Sequence, residues 1–540
     1  MTATAAPTAT VFNYTYQCGV PDSPARIPPA LKRIAIVGGG TAGWMAAMIL
    51  AHKLGPRGAE ISVLESPAVS IIGVGEGSTP WLRGFFDMLG IEESEWMPEC
   101  NATYKCGITF SGWSTRPGFE SYFHPFASML DNLTLTQFTH NAQARVNGLD
   151  VEARPDRFFI ASYLAKNRMA PKPNRNFPFD VWYGYHFDAA LVGKYLHKKA
   201  VERGVKYVSC HVTNVNMKEN GDIKSVTTKE LGELEFDFFV DCTGFAGLLI
   251  QKALKTPFVS FSDNLFNDSA VAMPTPMGEK IGSQTISAAM KSGWRWEIPL
   301  TNRYGNGYVY SSSFCSPDEA EKELREAIGM LESPVEARHL KMRIGRVTDH
   351  WNRNCLAVGL SQGFIEPLEA TALLFIQRAV QNFVDAVEGG DMGEAVRTRY
   401  NAKINEHFED TRDYIVTHYK TNTRKDTEYW RANAENPKIS GALQELYALW
   451  MSGKSIAPAV GSQKLGKGYP IFSWYCILAG MGIFPEGERL RKPNGKGSPY
   501  NMEEIDNLLS RSLMNFRDQR EVLENIPPKA KEPSLQIYFW

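Results

Sequence analysis

Residues Lys32–Leu54 read "KRIAIVGGGTAGWMAAMILAHKL". Ile34, Ala35, Ile36 and Val37 form a short apolar run, the mark of a strand buried on both faces. A glycine turn follows, and Thr41 to about His52 reads as a helix. The next apolar run, "EISVLES", is a second buried strand, so the segment is a βαβ unit and its sheet should be parallel. Gly38, Gly40 and Gly43 spell G-x-G-x-x-G between strand and helix. Glycines there permit a tight turn, close approach of a pyrophosphate and helix–strand packing, and the helix N-terminus favours phosphate charge. Glu65 ends the second strand, 22 residues after Gly43, where a ribose hydroxyl can be met. The pattern predicts a bound dinucleotide.

Two later segments choose between dinucleotides. "DFFVDCTGFAG" (Asp237–Gly247) and "NCLAVGLSQGF" (Asn354–Phe364) each read as a strand running into a glycine turn. A chain that holds both ends of a long cofactor returns to it late. Both segments resemble the later flavin-contacting segments of aromatic-hydroxylase-type enzymes, which favours FAD over NAD.

The rest of the 540-residue chain bounds the reading. Hydrophobic content of 43% and charged content of 22% are ordinary globular usage, so a sizeable core is available. A net charge of -1 gives no footprint for nucleic acid and no attraction to an anionic membrane. The eight cysteines, at 18, 100, 106, 210, 242, 315, 355 and 476, include no C-x-x-C pair and no zinc spacing, so no metal site is expected. They read as reduced thiols of a cytoplasmic protein. The N-terminal residues do not resemble a signal peptide, and no run is apolar enough to span a membrane.

Outside the βαβ unit, "STPWLRGFFDMLG" reads as a helix capped by Ser78 or Thr79 and ended by Gly90. A second helix runs from Asp188 to Gly204, a series of strands follows with turns at Asn220-Gly221 and Gly232, and Ser316–Gly329 is another capped helix. "KSGWRWEIPL", from Lys291 to Leu300, reads as a strand with both indoles on one face. Helical patterns dominate beyond about residue 390. The expected fold is α/β, a Rossmann-like FAD-binding sheet with an inserted substrate-side β-sheet and a mostly helical C-terminal part. The expected division is a flexible arm over 1–30, a core over 31–390 and a helical substrate-side region over 391–540.

Several motifs in order carry a family resemblance: "GGGTAGWMAA", "GVGEGSTP", "FFDMLGIEESEWM", "CNATYK", "NDSAVA", "GWRWEIP" and "EPLEAT". From Ile34 to about Gly482 the chain resembles the flavin-dependent tryptophan halogenases. The resemblance implies an enzyme that uses reduced FAD, dioxygen and halide (chloride or bromide, with iodide open) to make hypohalous acid. The acid crosses an internal channel to an electron-rich aromatic such as an indole, a phenol or a tryptophan-like substrate. No NAD(P)H-binding second domain is legible, so a separate flavin reductase is the implied partner, and a homodimer is allowed for.

The resemblance also implies roles. Lys105 matches the catalytic lysine, which can hydrogen-bond to hypohalous acid or become a haloamine; by itself, a lysine in an alternating strand reads as solvent-facing. Glu369 matches the second essential residue, a carboxylate able to stabilise a ring cation and accept its proton. Glu366 is the nearby alternative, better suited by Pro367 to starting a helix. Thr371 and Ala372 occupy the halide-binding positions, where a helix N-terminus suits an anion; alanine replaces the family's common glycine. Trp294 and Trp296 correspond to a wall between flavin and substrate, though a pair of core indoles describes them equally. Thr41, Ala42, Glu76, Val212, Leu360 and Leu373 join the glycines and Glu65 around the flavin, Val212 near the adenine and Leu360 near the isoalloxazine.

His124 and Phe126 match positions lining the indole pocket, and Trp474 and Tyr475 are candidates for its aromatic wall. Members that grip free tryptophan carry an acid for its amino group before this last pair. Here "SQKLGKGYPIFSWYC" holds none, and Lys464 and Lys467 read more simply as exposed than as carboxylate contacts. The expectation is a more open pocket for indoles, phenols or a peptide-borne tryptophan. The rival readings are an FAD aromatic monooxygenase, with its substrate beside the flavin and no need for Lys105, and a non-catalytic flavin-binding protein.

Overall fold

The computed structural model describes residues 27–68, 75–174, 176–461, 468–493 and 501–526. Most of the expected N-terminal arm, together with Lys464 and Lys467, lies outside the described residues. The βαβ unit forms as its pattern predicts: β1 (Arg33–Val37), α1 (Thr41–Leu54) and β2 (Glu60–Glu65). Four of the five β1 residues are buried, because the strand is covered on both faces. β1 lies between β2 and the strand Phe238–Asp241, parallel to both. Cys355–Ala357 and Lys206–Ser209 add further parallel strands, and the edge hairpin Trp351–Asn352 closes a six-stranded sheet. α1 packs on the helices Ala189–Glu202 and Ala372–Val387.

A second sheet of seven strands is inserted into the first unit. In order it holds Arg338–Lys341, Ser269–Pro276, Arg303–Tyr310, Gly293–Pro299, Thr285–Ala289, Gly107–Ser111 and Ser121–Pro125. All neighbours are antiparallel except Thr285–Ala289 with Gly107–Ser111. A small antiparallel sheet, Gly75–Gly77, Gly184–Asp188 and Thr103–Lys105, carries Glu76 and Lys105. From Ala372 onward the described chain is built of helices, among them the long Glu394–Lys420. No helix among the described residues is long and apolar enough to cross a membrane.

Local signals mostly decide the element ends. Asp188 caps its helix by accepting from the amides of Ala190 and Leu191, and Ser316 forms a capping box with Glu319. The helix Trp81–Met88 departs from expectation. It begins at Pro80 with no side-chain cap, because the Ser78 hydroxyl accepts instead from the Tyr185 amide at 2.9 Å. Pairing with the small sheet claims that serine first. The apolar stretch after Gly204 also splits: Lys206–Ser209 joins the main sheet, whereas Val212–Met217 turns into a separate three-stranded sheet.

Candidate functional site

The glycine turn is shaped by what surrounds it. A Cβ on Gly38, whose φ is +114°, would fall 2.2 Å from the Cys242 carbonyl oxygen, and one on Gly43 would fall 1.9 Å from the Gly38 oxygen. Backbone packing therefore demands both glycines. Gly40 is different, since a Cβ there would meet nothing within 4 Å. It opens α1, whose N-terminus has no side-chain cap and no acid in its first turn. An uncapped helix start beside open space suits a pyrophosphate. The Glu65 carboxylate folds over Gly39, without a hydrogen-bond partner among the described residues, and burial pushes it up from its ordinary value. Both later glycine turns return here: Cys242 follows one strand, and Gly359 of the other packs on Ala42. These residues fit FAD.

The remaining flavin candidates scatter more widely. Thr41 donates to the Ala189 carbonyl at 3.2 Å, and Leu373 is buried at the start of the helix Ala372–Val387. Leu360 is half-buried in the Gly359–Ser361 turn, and Val212 packs against the cluster that contains Leu64. Burial pushes the Glu76 carboxyl up to about 7, with Asp188 adding to the effect.

Lys105 is fully buried, and its ammonium has no hydrogen-bond partner among the described residues. Desolvation lowers its pKa to about 8, against the pull of Glu369. It lies 5.5 Å from the Phe126 ring centroid. Gly77 makes room for it, because a Cβ there would stand 3.2 Å from the ammonium. His186 lines the same space with both ring nitrogens taken, by Thr103 at 3.1 Å and Thr285 at 2.9 Å. Burial, then Lys105, holds that imidazole well below its usual pKa, so it stays neutral.

Glu369 sits on a short turn, Pro367–Glu369, just before the helix Ala372–Val387. Ala370 takes a left-handed φ of +55° and turns the chain into that helix. The carboxylate is 6% exposed, and His418 Nε2 approaches its Oε1 to 2.9 Å without the alignment of a straight hydrogen bond. Burial works to raise this carboxyl, but His124, His418 and Lys105 outweigh it and hold it below its ordinary value. Glu366 takes no capping role. Asn267 donates to it at 2.7 Å within a buried cluster with Tyr419 and Tyr429, and burial pushes it up to about 7. Thr371 and Ala372 stand at a helix start with no side-chain cap.

Trp294, Trp296 and Ile298 share the buried face of the strand Gly293–Pro299, with the indole centroids 6.3 Å apart. Trp296 lies across Gly307 of the next strand, where a Cβ would come within 2.1 Å of its ring.

A cavity of about 220 Å³ joins several of these groups. His124, Phe126, Glu369 and Thr371 line it, and the His124 ring is held 2.8 Å from the Tyr414 hydroxyl. Trp474 and Tyr475 do not reach its wall. Trp474 packs edge-on against Tyr414, and the Tyr475 hydroxyl donates to Gln143 at 3.3 Å. The aromatic lining instead comes from Phe472 on the same helix, Tyr469 just before it, and Trp81 and Trp182. Arg378 also faces the cavity. Sequence reading missed Arg378, His186 and His418, which lie in helix and strand segments with no motif around them.

Residues 33–492 match the model of the tryptophan halogenase family. The tryptophan 6-halogenase SttH of Streptomyces toxytricini is 38% identical over 481 residues, covering 83% of this chain and 89% of that one. The tryptophan 7-halogenase RebH of Lentzea aerocolonigenes is 35% identical over 528 residues, 92% of this chain and 97% of that one. Among solved structures, the flavin-dependent halogenase Xcc4156 of Xanthomonas campestris matches with a TM-score of 0.80 at 29% identity, over 93% of this chain and all of that one. With its motifs, its fold and these relatives in agreement, the chain belongs to the flavin-dependent tryptophan halogenase family.

Proposed function

We propose that this enzyme halogenates an electron-rich aromatic ring, an indole above all, with hypohalous acid that Lys105 guides and Glu369 completes. The observation that carries the reading is a fully buried ammonium with no hydrogen-bond partner among the described residues, electrostatically coupled to a buried carboxylate on the wall of an aromatic-lined cavity. Folding alone gains nothing from such a lysine. The chemistry supplied by FAD when bound in reduced form is the oxidation, with dioxygen, of chloride or bromide to hypohalous acid.

Around that supply, each residue has a task. The first amides of the helix Ala372–Val387, at Thr371 and Ala372, hold the halide. The paired indoles of Trp294 and Trp296 keep the organic substrate from the flavin. The Lys105 ammonium donates a hydrogen bond to the oxygen of the hypohalous acid and gives it a proton as the oxygen–halogen bond breaks, so that water leaves. The ring carbon takes the halogen, and Glu369 stabilises the resulting cation and accepts its proton. Passing that proton back to Lys105 restores both groups. Reduced FAD comes from a separate flavin reductase.

The test supplies reduced FAD, oxygen, bromide and indole, and looks for the paired bromine isotopes by mass spectrometry. Brominated product supports the reading. Hydroxylated product without bromine would overturn it in favour of a monooxygenase.

A further inference from the structure

The helix Ala372–Val387 turns one face to the cavity, presenting Leu374, Phe375 and Arg378 after Thr371. Residues three and four apart share a helix face, so this stripe runs along the cavity wall. Arg378 is half-buried, with its guanidinium carbon 5.6 Å from the centroid of the Trp81 ring. Among the described residues no carboxylate lies within ion-pair distance of it. The nearby acids are otherwise engaged. Asp180 on the cavity rim is held by Arg83 at 3.2 Å, and Glu369 faces His418. Asp410, on the helix Glu394–Lys420, adds its charge to Arg378 without forming an ion pair with it. Burial pushes this guanidinium down from its ordinary value, with Tyr469 and Asp410 opposing. The neighbouring sequence "SQKLGK", residues 462–467, contains no acid to supply.

A desolvated guanidinium without a counterion is costly, and its planar fork suits two oxygens of a carboxylate. Its position sets the distance. Seven residues separate Thr371 from Arg378, roughly 10 Å along a helix, and helical side chains lean back toward the N-terminus. The fork stands over Trp81 in the cavity that Glu369 also lines, a separation that suits a short chain on an aromatic ring.

We propose that Arg378 reads the carboxylate of a small aromatic acid, an arylalkanoate whose ring lies beside Phe126 and Glu369. No acid on the described cavity wall remains free to receive an ammonium, so the substrate is recognised as an anion and not as a zwitterion. This rests on the halogenase reading above and names the substrate class of the same site.

The test compares indole-3-propionate with the neutral indole-3-propionamide, using bromide and reduced FAD, in the parent enzyme, Arg378→Gln and Arg378→Lys. The acid should be favoured in kcat/KM by at least about 10-fold, the scale of one charge-assisted contact. That ratio should fall to near one in Arg378→Gln and be partly kept in Arg378→Lys. Free tryptophan should not exceed indole-3-propionate. A purely structural arginine would weaken both compounds alike and leave the ratio unchanged, which would overturn the proposal, as would a parent enzyme indifferent to the carboxylate. Calorimetric binding of the two compounds to the enzyme with oxidised FAD gives a second readout. An Arg378-dependent preference there without any bromination would sink the halogenase reading alone. Bromination of both compounds without preference would sink the arginine assignment alone.

Discussion

His418 Nε2 stands 2.9 Å from Glu369 Oε1, in a contact where both side chains are almost wholly excluded from solvent. The other ring nitrogen of His418 meets the Tyr122 hydroxyl at 3.2 Å, and its ring stacks on Phe110. The imidazole is thus fixed, and it is one of three groups that keep Glu369 ionised. Glu369 has a folded pKa below its ordinary value, so its charged form persists down through mildly acid pH. Replacing His418 with Phe removes one support and raises that pKa. The acid limb of the kcat profile should move to higher pH, and kcat near pH 7 should fall about 10- to 100-fold, the scale of one charge-assisted contact. An unmoved acid limb would show that the contact only packs.

Glu369→Gln keeps the shape and removes the charge. Turnover should fall by about 10²–10⁴-fold, the usual scale for a positioned acid–base group. FAD affinity, measured by fluorescence titration, should stay close to that of the parent. A loss confined to flavin binding would place Glu369 outside the chemistry.

The alkaline side of the same profile reports on Lys105. With a pKa lowered to about 8, it is mostly protonated at pH 7 and mostly neutral at pH 9. Donation from the ammonium requires the proton, so kcat should decline as pH rises through about 8. A rise over that interval would instead favour the neutral amine and a haloamine route.

Stability should move the other way. Burying the Lys105 ammonium costs on the order of 3 kcal/mol, from a shift of 10.5 to about 8. This cost is fully present below pH 8 and is relieved between about 8 and 10.5, where the folded lysine loses its proton before the unfolded one. Lys105→Met should therefore abolish halogenation while unfolding at a higher temperature at pH 7, and the difference should shrink by pH 10. Thermal scans at the two pH values check both signs.

Gly307 gives the Trp296 indole its seat, and an added methyl would overlap the ring. Gly307→Ala should cost about 1–3 kcal/mol by overpacking. If Trp296 is part of the wall, moving it should also lower the yield of halogenated product per reduced FAD consumed and raise peroxide release. Gly278→Ala, where a Cβ meets nothing within 4 Å, is the control. Unchanged coupling in Gly307→Ala would leave Trp296 as core packing.

Much of the site's framework was legible in linear order. The run Ile34–Val37, the three glycines and Glu65 specify a strand, a tight glycine turn and a second strand because their periodicity and backbone freedom act over a few residues. The alternation in Gly293–Pro299 likewise puts Trp294 and Trp296 on one face whatever surrounds them. Lys105 is the opposite case. Its three-residue strand reads as solvent-facing, and only the sheet made with Gly184–Asp188, together with the space left by Gly77, buries it. Ser78 lost its expected cap for a related reason, since pairing with Tyr185 claimed the hydroxyl first. Phe472, rather than Trp474 and Tyr475, faces the cavity because the phase of its helix is set by packing on Tyr414 and Gln143, and Tyr469, just before that helix, lines the cavity while stacked on Tyr414. His418 meets Glu369 from 49 residues away, and Arg378 enters the cavity through the rotation of its helix against α1 and the long helix Glu394–Lys420. Local pattern thus determined which elements form and which faces are apolar. Which charges end up buried, and beside what, was decided by the packing of elements distant in the chain, because desolvation and Coulomb energies depend on separations in space that sequence spacing does not encode.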